Sequence, residues 1–241
     1  MSLRDSYLEA HSSTTEAVVA KNDRTLRAVG EALGRSLADG GVAHVFGSGH
    51  SGIIAQEIVH RAGGLVPVSA ITDPTGGWPE NLPGYGARLV KRYIWQYGIE
   101  PGEVVFVISN SGINPSPLEV ARAARAAGAV VVAVTSVAMS SALPSALPTG
   151  EHLYDLGDHV LDNLCPKGDA ALPVPGTDLV TAPLSTVAGC LLLNLAVVEA
   201  IDWMRAGGHE IPLLRSGNLP GGKEYNDQLS ARYRHRLSRP I

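Results

Sequence analysis

The sequence predicts an α/β fold: a three-layer, doubly wound, five-stranded parallel sheet preceded by a long N-terminal helical segment. Three observations carry that prediction. Short β-branched runs alternate with helical patterns along most of the chain. Two of those runs, "VVFVIS" at 104–109 and "VVVAVT" at 130–135, are continuously apolar, as strands buried on both faces of a parallel sheet should be. The composition, 45% hydrophobic and 17% charged with 27 glycines and 16 prolines, is that of a compact, turn-rich chain and not a disordered one. At 241 residues the chain has ample material for one large core. It reads as a single domain over 1–241, with a helical segment at 1–40, an α/β core at 41–206 and a C-terminal extension at 207–241.

Residues 3–38 carry Leu8, Val18, Val19, Leu26, Val29 and Leu33 near helical spacing and stop at Asp39-Gly40-Gly41, which predicts one long helix or two short ones. Strands are expected at 43–47, 65–70, 104–109, 130–135 and 158–162, and helices at 51–62, 85–97, 117–127 and 181–206. In the last helix Val187, Leu191, Leu195, Val198 and Ile201 form a stripe, and Leu192, Leu193 and Val197 extend it round the helix. A helix apolar on nearly every side predicts self-association as a dimer or tetramer. Asn194, Glu199 and Asp202 interrupt it, so a buried helix is expected there and no membrane span. Two connections, "TDPTGGWPENLPG" at 72–84 and "LCPKGDAALPVPGTDLVTAP" at 164–183, have the length of lids or binding loops.

A net charge of −4 argues against nucleic acid as a partner, because a phosphate backbone demands a concentrated basic surface. The N-terminus lacks the charged-then-apolar layout of a secretory signal. Cys165 and Cys190 are too few for a disulfide framework and fit no zinc spacing. A reduced, cytoplasmic protein is the expectation.

The chemistry is expected in two loops. With the flavodoxin-like strand order 2-1-3-4-5, the loops leaving strands 1 and 3 face each other where ligands bind such sheets. These loops are "VFGSGHSG" at 45–52 and "SNSGINPSP" at 109–117. Their glycines let backbone N–H groups approach a ligand, and Ser48, Ser51, Ser109, Ser111 and Ser116 can donate to anionic oxygens. Gly47, Gly49 and Gly52 also fit a dinucleotide fingerprint, with Asp73 about 20 residues beyond, where a ribose-binding acid belongs. Against that reading stand the second hydroxyl-rich turn, the lack of any Tyr-x-x-x-Lys pair, and the turn context of Asp73 in "TDPTGG".

Other motifs fail. "GNLPGGKE" from Gly217 has P-loop spacing, but Glu224 stands where Ser or Thr should meet magnesium. No G-x-S-x-G elbow occurs, and Glu57-x-x-His60 is a single pair with no second copy. No metal and no cofactor are expected.

The two loops, with "APLSTVAG" at 182–189, resemble the SIS (sugar isomerase) domain of phosphoheptose isomerase and arabinose 5-phosphate isomerase. The whole chain is most similar to a bacterial single-SIS group of unassigned substrate. That group also shows Asp162-Asn163, the stretch Pro166-Lys167-Gly168-Asp169-Ala170, and Gly221-Gly222-Lys223-Glu224-Tyr225-Asn226. The resemblance implies that Ser51, Ser109, Ser111 and Ser116 hold a sugar phosphate, with backbone help from Gly49, His50 and Gly112. Phosphoheptose isomerases place a His six residues and a Glu ten residues after the first-loop serine, where this chain has Glu57 and Arg61.

Aldose–ketose isomerisation needs a base and a ring-opening group. On an extended first-loop helix Glu57 and His60 share a polar face, which makes Glu57 the expected base. Glu224 is the second choice, and His50 or His60 the acid/base for ring opening. Lys167, Asp169, Ser185 and Asn226 are further expected substrate contacts. The function expected is phosphosugar binding with aldose–ketose isomerisation; a non-catalytic sensor and a lyase or deaminase on an amino-sugar phosphate are the alternatives.

Overall fold

The structure is a computed structural model that describes residues 2–238. One helix, α1 (Leu3–Ala38), opens the chain, capped by Ser2 accepting from the Asp5 amide. The sheet strands are β1 (Ala43–Gly47), β2 (Val68–Ile71), β3 (Val104–Ile108), β4 (Val130–Thr135) and β5 (His159–Asp162). They pair in parallel in the order β2-β1-β3-β4-β5, with Val45 opposite both Ala70 and Phe106. Between them run α2 (His50–Gln56), α3 (Tyr85–Tyr97), α4 (Pro115–Ala126), α5 (Val137–Ser141) and α6 (Leu153–Leu156). A hairpin of β6 (Ala170–Pro173) and β7 (Val180–Pro183) precedes α7 (Ser185–Ala206) and α8 (Gly222–Ser230).

Because side chains alternate across a strand, the central strands feed two cores. Val45, Phe106 and Val132 pack under α1, α2 and α7, against Leu26, Leu33, Ile54, Leu192 and Leu193. Phe46, Val105 and Val107 pack under α3, α4 and α6, against Val90, Leu118 and Leu153. By length and composition α7 could cross a membrane; here its buried residues, from Ala188 to Met204, serve the first core.

Several elements differ from the sequence expectation. The helix expected over 51–62 ends at Gln56 and β2 starts at Val68, because residues 63–66 pair with a distant segment: Gly63 N–H donates to the Leu214 carbonyl (2.8 Å), Leu214 N–H to Gly64 (2.9 Å) and Val66 N–H to Pro212 (2.8 Å). The last long helix starts at Ser185, not 181, because Asp169 caps it, accepting from the amides of Leu184 (3.1 Å) and Ser185 (2.8 Å). The connection at 164–183 holds the β6–β7 hairpin, and α8 forms where no helix was expected.

A buried polar cluster ties the C-terminal segment to the N-terminal end of the sheet. Glu103 accepts from the amides of Val42 and Glu100 (both 2.8 Å), from both contacts of Arg236 Nη2 (2.8 and 2.9 Å), and from His44 Nε2 (2.8 Å). Since that carboxylate only accepts, the His44 proton sits on Nε2 and Nδ1 accepts from the Tyr93 hydroxyl at 2.7 Å. Burial depresses the His44 imidazole below its ordinary 6.5. For Glu103, burial alone would raise the carboxyl, but the bonds from His44, Glu100 and Val42 outweigh it and hold it at about 2.

Both groups therefore bind protons more readily in the unfolded chain. The His44 contribution is complete above pH 6.5 and is lost as pH falls below it; that of Glu103 is lost between its ordinary 4.5 and about 2. Urea unfolding should show a flat stability near pH 7–8 and a decline below pH 6.5, with a shallower first decline in His44→Gln. Arg236→Ala, which takes the countercharge from the buried Glu103 carboxylate and leaves it only its amide and imidazole donors, should cost about 3 kcal/mol in the same assay at pH 7.

Candidate functional site

The loops that follow β1 and β3 leave the C-terminal edge of the sheet side by side, since these strands are neighbours. The first turns tightly: Ser51 N–H donates to the Ser48 carbonyl (3.1 Å) and Gly52 N–H to that of Gly49 (3.0 Å). In the second, Gly112 N–H donates to Ser109 Oγ at 3.2 Å. Thr135 Oγ1 (3.3 Å) and the Ser136 amide (3.1 Å) both donate to the Asn110 carbonyl, and Asn163 Nδ2 donates to Asn110 Oδ1 at 2.9 Å. The ends of β4 and β5 therefore hold the second loop in place.

The five serines divide by commitment. Ser48 donates to Asp73 Oδ2 at 3.2 Å and Ser109 accepts from Gly112, so both shape the loops. Ser51 and Ser111 are half-buried, and their hydroxyls have no hydrogen-bond partner among the described residues. Ser116, in the first turn of α4, is fully buried with an unpartnered Oγ. A buried hydroxyl without a partner is costly unless something else fills its need.

The connection at 72–84 crosses from the first loop to the second. Its near end is Asp73, whose Oδ1 accepts from Thr75 N–H (2.9 Å), Thr75 Oγ1 (2.6 Å) and the Tyr85 hydroxyl (2.7 Å), while Oδ2 takes Ser48 and Gly77 N–H (3.1 Å). Burial alone would raise this carboxyl, but those hydrogen bonds prevail and lower it. Gly77 lies so close to the first loop that a Cβ there would sit 2.7 Å from the Gly49 nitrogen, and its φ of 99° suits glycine alone. At the far end the Glu80 carbonyl accepts from Ser116 N–H (3.1 Å) and its Oε1 from Asn114 Nδ2 (2.9 Å).

A cavity of about 490 Å³ opens beside the first loop, bordered by Gly47, Gly49, Gln56, Asp73 and Ser238. A larger hollow of about 550 Å³ lies between α1 and residues 100–103, touching neither loop. Among the described residues no group of three or more His, Cys, Asp or Glu side chains could hold a metal ion.

Other residues singled out from the sequence fall in different places. His50 is exposed inside the first loop. Glu57 closes α2, where its carboxylate takes the Arg61 guanidinium and Asn194 Nδ2 of α7 (3.1 Å). His60 follows the break in that helix with a φ of 52°, so the two do not share one continuous helical face. Asp169 and Ser185 bond each other (Oγ to Oδ2, 2.6 Å) at the start of α7, and Lys167 is exposed nearby. Glu224 and Asn226 ride on α8, which packs through Leu229 on Val42 and Val66 at the entrances of β1 and β2. That is the opposite edge of the sheet from the loops, and Asn226 is spent on the backbone of Arg215.

Glu80, Asn114 and Asn110 went unnoticed in the sequence, since no local signal marks a partner at such separation. Asp73 had one: Asp-Pro-Thr-Gly-Gly is a turn in which an Asp side chain bonds the amide two residues on. Gly77→Ala, strained in φ and blocked by the Gly49 backbone, should cost roughly 1–3 kcal/mol by urea unfolding and speed amide exchange at Gly49.

Residues 6–136 match the family model of the SIS domain. Over 236 residues the chain is 36% identical to a UPF0309 protein of Geobacillus kaustophilus, an alignment covering 96% of this chain and 94% of that one. A UPF0309 protein of Listeria monocytogenes is 34% identical over 223 residues, covering 92% and 94%. Among solved structures, a phosphoheptose isomerase from Francisella tularensis superposes with a TM-score of 0.59 at 18% identity, over 83% of this chain and 100% of that chain. The Vibrio vulnificus NanR protein complexed with ManNAc-6P gives 0.51 at 15%, over 95% and 68%. At these identities the structural likeness is one of fold.

Proposed function

This chain belongs to the SIS domain family, and on that premise we propose that it binds a sugar phosphate across its two glycine- and serine-bearing loops and interconverts the aldose and ketose forms. The observation that carries the reading is the meeting of both loops at the neighbouring ends of β1 and β3, with the hydroxyls of Ser51, Ser111 and Ser116 uncommitted. Three hydroxyls beside loop amides suit a phosphate dianion without any lysine or metal. The N-terminus of α4 adds its partial positive charge. A phosphoheptose isomerase and a NanR protein holding ManNAc-6P share the fold, which supports a phosphorylated sugar as the ligand class.

Isomerisation moves a proton between C1 and C2 through an enediol, so it needs a base and a group for ring opening. His50, exposed within the first loop, is the proposed ring-opening acid/base, and Glu57 at the end of α2 the proposed base. One observation favours a second reading, a non-catalytic phosphosugar sensor: the Glu57 carboxylate is already engaged by Arg61 and Asn194.

Two experiments test these assignments. Ser51→Ala and Ser111→Ala should each weaken sugar phosphates about tenfold or more in calorimetry, the worth of one hydrogen bond to a charged group, and leave neutral sugars unaffected; equal loss for both ligand types refutes the cradle. A thermal-shift panel of sugar phosphates identifies a ligand, and NMR in D2O then follows exchange at C2. Glu57→Gln should abolish that exchange; binding without exchange in the unaltered protein establishes the sensor.

A further inference from the structure

The bridge at 73–80 is fastened at both ends and bears an indole at its crest. Asp73 anchors it to the first loop and Glu80 to the second, and Glu80 N–H donates to the Gly77 carbonyl at 3.1 Å. Trp78 follows Gly77, the residue pressed against Gly49, yet its side chain is 92% exposed. Leaving so large an apolar ring in water forgoes substantial burial energy. The backbone around it is pinned, so the exposed ring belongs to an ordered turn and not to a loose end.

The neighbourhood tells what such a ring would meet. The bridge is tied to the first loop through Ser48 and Gly49 and to the second through Asn114 and Ser116, the same loops that carry the unpartnered Ser51 and Ser111 hydroxyls and the loop amides. A phosphate seated there leaves the rest of its carrier protruding toward the bridge. Sugar rings present one face of C–H bonds, and a flat aromatic surface is the side chain that covers such a face while leaving the hydroxyls free.

We infer that the 73–80 bridge is the sugar-facing wall of the phosphate cradle, with Trp78 as the surface on which the ligand's sugar ring stacks; this rests on the sugar-phosphate reading above. Trp78 sets specificity for the ring, and the serines set it for the phosphate. Asp73 and Glu80 are positioning residues that hold the indole in place.

The test uses calorimetry of the full chain with inorganic phosphate, fructose 6-phosphate and glucosamine 6-phosphate. Trp78→Ala, at an exposed position, should weaken the tighter sugar phosphate at least tenfold and leave inorganic phosphate within twofold, and Trp78→Phe should restore most of the loss. Unchanged sugar-phosphate affinity in Trp78→Ala overturns the inference, and so does an equal loss for inorganic phosphate. A change of mass in sedimentation would assign the indole to a contact between copies and overturn it too. If Ser51→Ala weakens all three ligands while Trp78→Ala weakens none, the phosphate reading stands and only the wall is lost; if the unaltered protein binds none of them, both fall.

Discussion

Parallel pairing of β1 with both β2 and β3 is the constraint from which the site follows. Crossovers between parallel strands are right-handed, so a chain that builds outward in both directions from β1 must send the connection to β2 to one face and those toward β3, β4 and β5 to the other. The first loop duly feeds α2 under the α1–α7 layer, and the second feeds α4 on the other. Two neighbouring strand ends whose helices diverge are where ligands bind in sheets of this kind, and here the 72–84 connection crosses between them. The Gly/Ser composition of the two loops bears on the proposed ligand because both loops lie at those adjacent strand ends; elsewhere on the sheet it would be ordinary turn chemistry.

The loops are also held in place by polar groups spent on architecture. Asp73 uses both carboxylate oxygens on five contacts, and its lowered proton affinity keeps it an acceptor across the usual pH range. Glu80 fixes Asn114 and the Ser116 amide, and Asn110 is fixed from β4 and β5. Each buys rigidity for a neighbour that stays unpaired. Hydroxyls held in place before a ligand arrives lose little freedom on binding, which is how a small anion site gains affinity.

The fold was legible because its signals are local or periodic. Val104–Ile108 and Val130–Thr135 announced buried parallel strands by apolar continuity, and the glycines after β1 and β3 marked the loops. What was illegible depends on distant pairing. Residues 57–62 carry a helical pattern, but the helix stops because 63–66 are claimed by Pro212 and Leu214, some 150 positions away in sequence. Glu103 and Arg236 are likewise unremarkable until the fold brings 133 residues' separation to one contact. In the candidate site, Ser51, Ser111 and Ser116 were readable from composition as loop hydroxyls, and the bridge tied to those loops was readable only as a long connection. Glu224 looked chemical by its glycine-bounded context, yet α8 carries it to the other end of the sheet.

The state of Glu57 decides how the enzyme and sensor readings are weighed. Transferring a proton to a carboxylate held by a guanidinium requires the ion pair to loosen. The pair is an i,i+4 contact at the surface, with Arg61 half exposed, and such pairs are worth only about 0.3–0.5 kcal/mol. A cost of that size changes a rate by about a factor of two, negligible beside the barrier an isomerase must lower. Loosening the Arg61 contact is therefore a small cost for the proposed reaction, and the Asn194 bond is the other contact that Glu57 would have to share. The ion pair is too weak to decide between the two proposals, and the engagement of Glu57 weighs less against the isomerase than its hydrogen-bond count suggests.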